Sequence, residues 1–169
     1  DIRSYKKDLV DLYVNRDQHS FSTQVTDLDN IQNPSIHSLL SSKYHEAQMH
    51  RLNIHAEIPD PVIHNYLTDL DLAVVLGHLM DNAIDGARKA SEGFISLAYF
   101  DEEDCQSFII ESTIAEEQVP LSMMSTQLSH PEGGIGVTAV QDILERYPNT
   151  SFSVRSQNHK MMQILEMRP

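Results

Sequence analysis

One short stretch of the sequence concentrates side chains that could bind a cation or a phosphate group. The candidates are His78, Asp81, Asn82 and Asp85; positions 78 and 82 are four residues apart and share one face of a predicted helix, with Asp85 one turn further. Amide and carboxylate oxygens suit Mg²⁺, and substrate phosphates commonly complete its six-coordinate shell. The pattern therefore indicates a Mg²⁺–phosphate site led by the Asn82 carbonyl oxygen. The alternative for the same residues is capping or bridging within the core.

A second candidate feature is the glycine cluster Gly133-Gly134-Ile135-Gly136, which opens a helix predicted to end near Tyr147-Pro148. Glycines let backbone amides approach a phosphate, and a helix N-terminus adds partial positive charge. The preceding residues, 113–132, lack apolar periodicity and hold two prolines. We expect them to form a long loop that covers a bound ligand, or else an ordinary surface loop.

Composition limits the ways in which this chain could bind a polyanion. The 169 residues are 40% hydrophobic, which is enough for a core, and carry 12 Lys+Arg against 25 Asp+Glu, a formal net charge of −13. Such a charge argues against nucleic acid and anionic lipid surfaces as partners. Phosphates would have to be bound locally, by backbone amides and a metal ion. The sequence begins at Asp1 and reads as a fragment of a longer protein.

Other site chemistries are not supported. The single Cys105 allows no internal disulfide, which favours a reducing compartment. Nine histidines include no HxxxH or HxH pair, so a zinc site is not expected. Neither a nucleophile elbow nor a base next to Cys105 is present. No apolar run reaches 18 residues, so we expect no membrane span in the given chain.

The N-terminal third predicts two amphipathic helices, over residues 2–14 and from Pro34 to about Arg51. With little else to pack on, they favour a helical hairpin that seeks a second copy. On this hypothesis Leu40→Asp would shift a dimer towards monomer. The stripe expected to join the two chains is Ile36, Leu40, Tyr44 and Ala47.

The remaining residues predict a strand, a long central helix capped by Thr68, two strands, the long loop, a helix and two strands. Helices combined with adjacent strand pairs favour an α+β two-layer sandwich with a mixed sheet over a doubly wound parallel fold. The predicted strands are 53–58, 94–100, 105–112, 151–155 and 161–167.

Three segments together resemble a known family. The run LGHLMDNAIDGA at 76–87 resembles the N-box of the GHKL, or Bergerat-fold, ATPases, in the version found in sensor histidine kinases of the peptide quorum-sensing type. Residues 134–137 resemble the glycine box of these kinases, and 36–47 are similar to the second helix of their dimerisation hairpin. The resemblance implies a partial dimerisation hairpin over 1–52 and an ATP-binding domain over 53–169, with helices on one face of its mixed sheet.

The resemblance also implies a site and an activity. ATP and Mg²⁺ would be the cofactors, with Asn82 as the metal ligand and His78 at a catalytic position. The chain would be the cytoplasmic part of a bacterial plasma-membrane sensor, with the membrane reached only through an upstream portion. As a homodimer joined by its N-terminal helices, it would phosphorylate a histidine for relay to a response regulator. The nucleotide contacts implied are Asn82, Asp85, Ser112, Gly133, Gly134 and Gly136.

The sequence departs from the family pattern at three places. The strand before the loop ends Ile110-Glu111-Ser112-Thr113, without the Asp that receives the adenine amino group and without an Asn near Ser112. Gly133 stands where the subfamily has a basic residue. The acceptor motif is missing, since Arg3-Ser4-Tyr5-Lys6-Lys7 holds no histidine.

These departures leave other functions open. We expect no histidine of this chain to accept phosphate, because His37 and His45 lie on the second hairpin helix and His19 lacks the acidic neighbour. A degenerate GHKL module that serves as a dimerising or partner-binding scaffold is the alternative function. An ATPase clamp is disfavoured, because its catalytic Glu would stand at position 78.

Overall fold

A five-stranded mixed sheet organises residues 25–118 and 136–169, the part of the chain that the computed structural model describes. Its order is β1-β2-β3-β5-β4, with β1 and β2 parallel and the other three pairs antiparallel. The strands are β1 (Asn53–Glu57), β2 (Phe94–Glu102), β3 (Cys105–Thr113), β4 (Thr150–Gln157) and β5 (Lys160–Met167).

Helices cover one face of this sheet. They are α1 (Pro34–Met49), α2 (Asp69–Lys89) and α3 (Gly136–Arg146), preceded by a 3₁₀ helix over Val25–Asn30. Alternate strand residues turn towards them and are fully buried, such as Leu97, Phe108 and Leu165. The predicted α+β two-layer sandwich is therefore confirmed, as are the five strands, whose predicted ends are within a few residues of those observed.

The long helix α2 is the centre of the helical layer. Thr68 caps it as predicted, because its hydroxyl oxygen accepts the backbone N–H of Asp71 at 3.2 Å. The helix contacts α1, α3 and β3, which explains why apolar residues occupy most of its circumference. At Gly77, α1 packs against the helix, and an added Cβ would meet a Leu39 methyl carbon at 3.6 Å, an ordinary van der Waals distance.

Helix α1 corrects one prediction. Its apolar stripe is buried within one chain, with Leu40 and Ala47 at 0% exposure, and the Tyr44 hydroxyl donates to the Ile54 carbonyl at 3.0 Å. The prediction that this stripe joins two chains is wrong, because α2 and β1 of the same chain already cover it. Residues 34–49 therefore share the core of the 53–169 unit, and the predicted boundary at residue 52 does not separate two cores. The predicted helix over 2–14 lies outside the described residues.

Leu40→Asp should consequently unfold the domain rather than separate two folded copies. An uncompensated carboxylate at a fully buried position should lower the free energy of unfolding by more than about 3 kcal/mol. Chemical denaturation followed by circular dichroism measures this, with Ser42→Asp on the exposed side of α1 as the matched control. A folded, stable Leu40→Asp monomer would contradict this packing and restore the interface hypothesis.

The start of α2 is tied to the end of α3 through a buried carboxylate. Asp71 accepts the Tyr147 hydroxyl at Oδ2 (2.6 Å) and the Arg146 guanidinium at Oδ1 (2.9 Å). The Tyr147 hydroxyl oxygen in turn accepts the backbone N–H of Thr68 at 3.2 Å. The hydrogen bond from Tyr147, supported by Arg146, holds the pKa of Asp71 below its ordinary value although burial opposes this.

Asp71→Asn should lower the free energy of unfolding at pH 7 by about 1–3 kcal/mol, because a charge-assisted pair is broken. The folded pKa lies below the unfolded value near 3.8, so the carboxylate stabilises the fold above that value. This stabilisation is lost as the pH falls through the folded pKa, and the two proteins should converge there. Melting temperatures from pH 7 to pH 2.5 test this, with the exposed Asp60→Asn as control. A difference that stays constant with pH would contradict the assignment.

Candidate functional site

One face of α2 is left partly open by the packing. Four polar side chains are half-buried on this face: His78, Asp81, Asn82 and Asp85. Most other positions of the helix are buried. The helix confirms the prediction that His78 and Asn82 share a face, with Asp85 one turn further. Their chemical roles stay predictions.

Asn82 is oriented by a residue that sequence reasoning missed. Gln163 of β5 is 1% exposed, and its amide nitrogen donates to the Leu79 carbonyl at 3.0 Å. Its carbonyl oxygen accepts the Asn82 amide nitrogen at 3.3 Å. This orientation leaves Asn82 Oδ1 as the side-chain atom that can bind a cation. A signal was available in the sequence, because Gln163 is a polar residue at an inward position between Met161 and Leu165.

Ser112 lies beneath the same helix. Its side chain turns to the helical face of β3, and its hydroxyl is buried without a hydrogen-bond partner among the described residues. A Cβ on Gly86 would lie 3.9 Å from this hydroxyl oxygen and 3.1 Å from the Ile114 Cγ2 atom. The neighbouring Glu111 points to the opposite face of the sheet, where Lys160 lies 3.6 Å away, so its carboxylate cannot substitute for Ser112.

Of the glycine cluster, the structure describes only the last residue, Gly136. Gly136 is the first residue of α3, as its predicted place at a helix start requires, while Gly133 and Gly134 lie outside the described residues. The predicted long loop begins as expected after β3, since residues 115–118 belong to no helix or strand. Its remainder, 119–132, lies outside the described part as well.

A lysine of α1 approaches this face. Lys43 Nζ lies 2.6 Å from Asp81 Oδ1 and 3.2 Å from Glu46 Oε2. Burial opposes the charge of the ammonium group, but the hydrogen bonds and attraction of Asp81 and Glu46 outweigh it and raise the pKa of Lys43. Sequence reasoning missed this contact, because it joins two helices that are far apart in the chain.

The donor set suits Mg²⁺ only if a ligand supplies most of the oxygens. Within residues 25–118 and 136–169, no group of three His, Cys, Asp or Glu side chains could hold a metal ion. One amide oxygen, on Asn82, with carboxylates nearby is consistent with a cation that is bound together with phosphates. The residues therefore fit a Mg²⁺–phosphate ligand and do not fit a metal site built from protein alone.

The fold and this site define a class of protein. A sequence profile of the GHKL domain matches residues 67–168, more than half of the chain. The chain therefore belongs to the GHKL family. None of the curated protein sequences matches it significantly.

Solved structures share the fold at low sequence identity. The catalytic domain of the histidine kinase ThkA aligns with a TM-score of 0.64 at 14% identity, over 81% of this chain and 92% of that one. The Acinetobacter baumannii histidine kinase AdeS aligns with a TM-score of 0.60 at 16% identity, over 96% and 76%. Full-length ShkA in complex with AMPPNP aligns with a TM-score of 0.61 at 13% identity, over 79% and 29%. The chain is thus a GHKL domain whose fold is that of histidine kinase catalytic domains.

None of the helices in the described part of the chain is long and apolar enough to cross a bilayer.

Gln163→Met should show that this buried amide orients Asn82. The substitution keeps side-chain length but leaves the Asn82 amide and the Leu79 carbonyl without their partner, so the free energy of unfolding should fall by about 1–3 kcal/mol. The side-chain amide NMR signal of Asn82 should shift as well. Gln157→Met, on the exposed end of β4, is the control for a methionine in the sheet. An unchanged Asn82 signal would show that Gln163 does not hold it.

Proposed function

We propose that this domain binds ATP with Mg²⁺ between α2 and the segment that leads into α3. The observation that carries the proposal is Asn82, whose amide nitrogen is held by Gln163 so that its oxygen is presented on the open face of α2. The AMPPNP complex of the structurally similar protein ShkA supports a nucleotide as the ligand. Membership of the GHKL family supports the same assignment.

Each residue of the proposed site has a distinct part. Asn82 Oδ1 would bind Mg²⁺, which when bound neutralises phosphate charge and so assists phosphoryl transfer. Backbone amides near Gly133, Gly134 and Gly136 would face the phosphates. His78 and Asp85, on the same face of α2, would contact the nucleotide or the reacting phosphate. Ser112 would lie beside the base, although its enclosed hydroxyl would have to become accessible before the base could bond to it.

The wider proposal is a histidine kinase of the two-component type. This domain would transfer phosphate from ATP to a histidine on a dimerisation helix, for relay to a response regulator, in a bacterial plasma-membrane sensor of the peptide quorum-sensing type. The similar folds of ThkA and AdeS belong to histidine kinases, which supports the activity. Because the α1 stripe is buried, a homodimer would have to use other residues of the N-terminal region.

A nucleotide-free scaffold is the competing function. One observation favours it: at Ser112 a short hydroxyl stands where the family has a longer hydrogen-bonding group, and this hydroxyl is fully enclosed. The two functions differ in whether Mg·ATP stabilises the fold, because a ligand bound only by the native state must raise the melting temperature.

Asn82→Ala tests the nucleotide hypothesis. Wild type at a Mg·ATP concentration of about 100 times Kd should gain about 2.7 kcal/mol of stability. Asn82→Ala should weaken Mg·ATP binding about tenfold or more in calorimetric titration. Without nucleotide it should cost only about 1 kcal/mol, since Gln163 loses one neutral hydrogen bond.

Asn53→Ala removes an exposed amide from β1 and should leave both quantities unchanged. A wild-type domain that millimolar Mg·ATP neither binds nor stabilises would exclude the kinase function and support the scaffold. If Asn82→Ala bound Mg·ATP as tightly as wild type, the metal-ligand role of Asn82 would be wrong.

A further inference from the structure

Lys43 occupies an unusual position relative to the proposed nucleotide site. It belongs to α1, yet its ammonium group reaches across to the open face of α2 and lies 2.6 Å from Asp81 Oδ1. Its side chain is only 22% exposed, against 41% for that of Asp81. Glu46 Oε2, 3.2 Å from Nζ, holds the ammonium group from its own helix. The lysine is thus fixed from two sides, and Asp81 is the partner on α2.

The carboxylate of Asp81 would repel any polyanion bound at Asn82. It is the residue before Asn82, on the same half-buried face as Asp85, so two carboxylates border the place that phosphates would occupy. The formal net charge of the chain is already −13. As a general estimate, an uncompensated carboxylate about one Debye length, roughly 10 Å, from a triphosphate weakens its binding by about 3- to 30-fold at low salt.

We propose that Lys43 is a positioning residue for nucleotide binding, which holds the Asp81 carboxylate towards α1 and cancels its charge beside the phosphates. This inference rests on the proposed function, since it concerns the same site. It assigns a role in ligand binding to a residue of α1, which lies outside the matched 67–168 region. Helix α1 is then part of the nucleotide site through this pair as well as part of the core.

An ordinary ion pair between two helices would behave differently. It would contribute to stability alone, and its loss would lower the melting temperature without changing the affinity for Mg·ATP. The electrostatic role instead predicts that the loss of Lys43 lowers the affinity for Mg·ATP only while Asp81 carries a charge. That dependence can be measured with a double-mutant cycle.

The test uses calorimetric titration of Mg·ATP at 50 mM salt with Lys43→Met, Asp81→Asn and the double variant, each also checked for its melting temperature. Lys43→Met should raise Kd by about 3- to 30-fold. Asp81→Asn combined with Lys43→Met should return Kd to within about twofold of wild type, because the uncompensated charge is gone. Lys43→Arg should keep wild-type affinity because it keeps the charge, and Lys43→Gln replaces Lys43→Met in the cycle if the methionine variant proves unstable.

Lys160→Met is the matched control. It removes the same charge from a similar ion pair, that of Lys160 with Glu111 at 3.6 Å on the opposite face of the sheet, and should change Kd less than twofold. A Lys43→Met protein that binds as tightly as wild type, or a double variant as weak as Lys43→Met, would overturn the role of Lys43 while leaving the nucleotide function intact. If wild type binds no Mg·ATP, the proposed function fails and this inference fails with it.

Discussion

The burial of α2 is the constraint on which the rest of the structure depends. This helix has to place apolar side chains against β3, α1 and α3 at once, so ten of its 21 residues are buried. Such a helix has little surface left for polar groups. Those it carries near its middle, from His78 to Asp85, lie where the described elements leave the helix only half-buried. The same packing that stabilises the fold thereby concentrates the candidate site on a narrow surface.

Polar groups beneath this layer are placed by their need for partners. Gln163 is almost completely buried and is paired at both ends, with Leu79 and Asn82, so the interior of the sheet determines how Asn82 is turned. Asp71 is paired by Arg146 and Tyr147, which fixes α3 against the start of α2. The buried hydroxyl of Ser112 lacks such a partner within the described residues.

Local sequence patterns were sufficient for the elements and for the grouping on α2. Helical spacing predicted that His78 and Asn82 share a face, and the Thr68 cap was visible in the sequence. Local patterns did not predict which surface packs against a buried helix face. The stripe that includes Leu40 shows that one side of α1 is buried, but a stripe of this kind packs equally well on a second copy or on its own chain. Gln163 and Lys43 were missed because their contacts join distant segments.

Side-chain amide NMR of the domain with uniform ¹⁵N labelling tests the central claim most directly. The account predicts that Mg·ATP shifts the Asn82 side-chain amide signals strongly, and those of Gln163 through their shared hydrogen bond. ATP with excess chelator should produce a much smaller shift at Asn82, because its oxygen would then have no metal to bind. Equal shifts with and without Mg²⁺, or no shift of Asn82 at saturating Mg·ATP, would contradict the account.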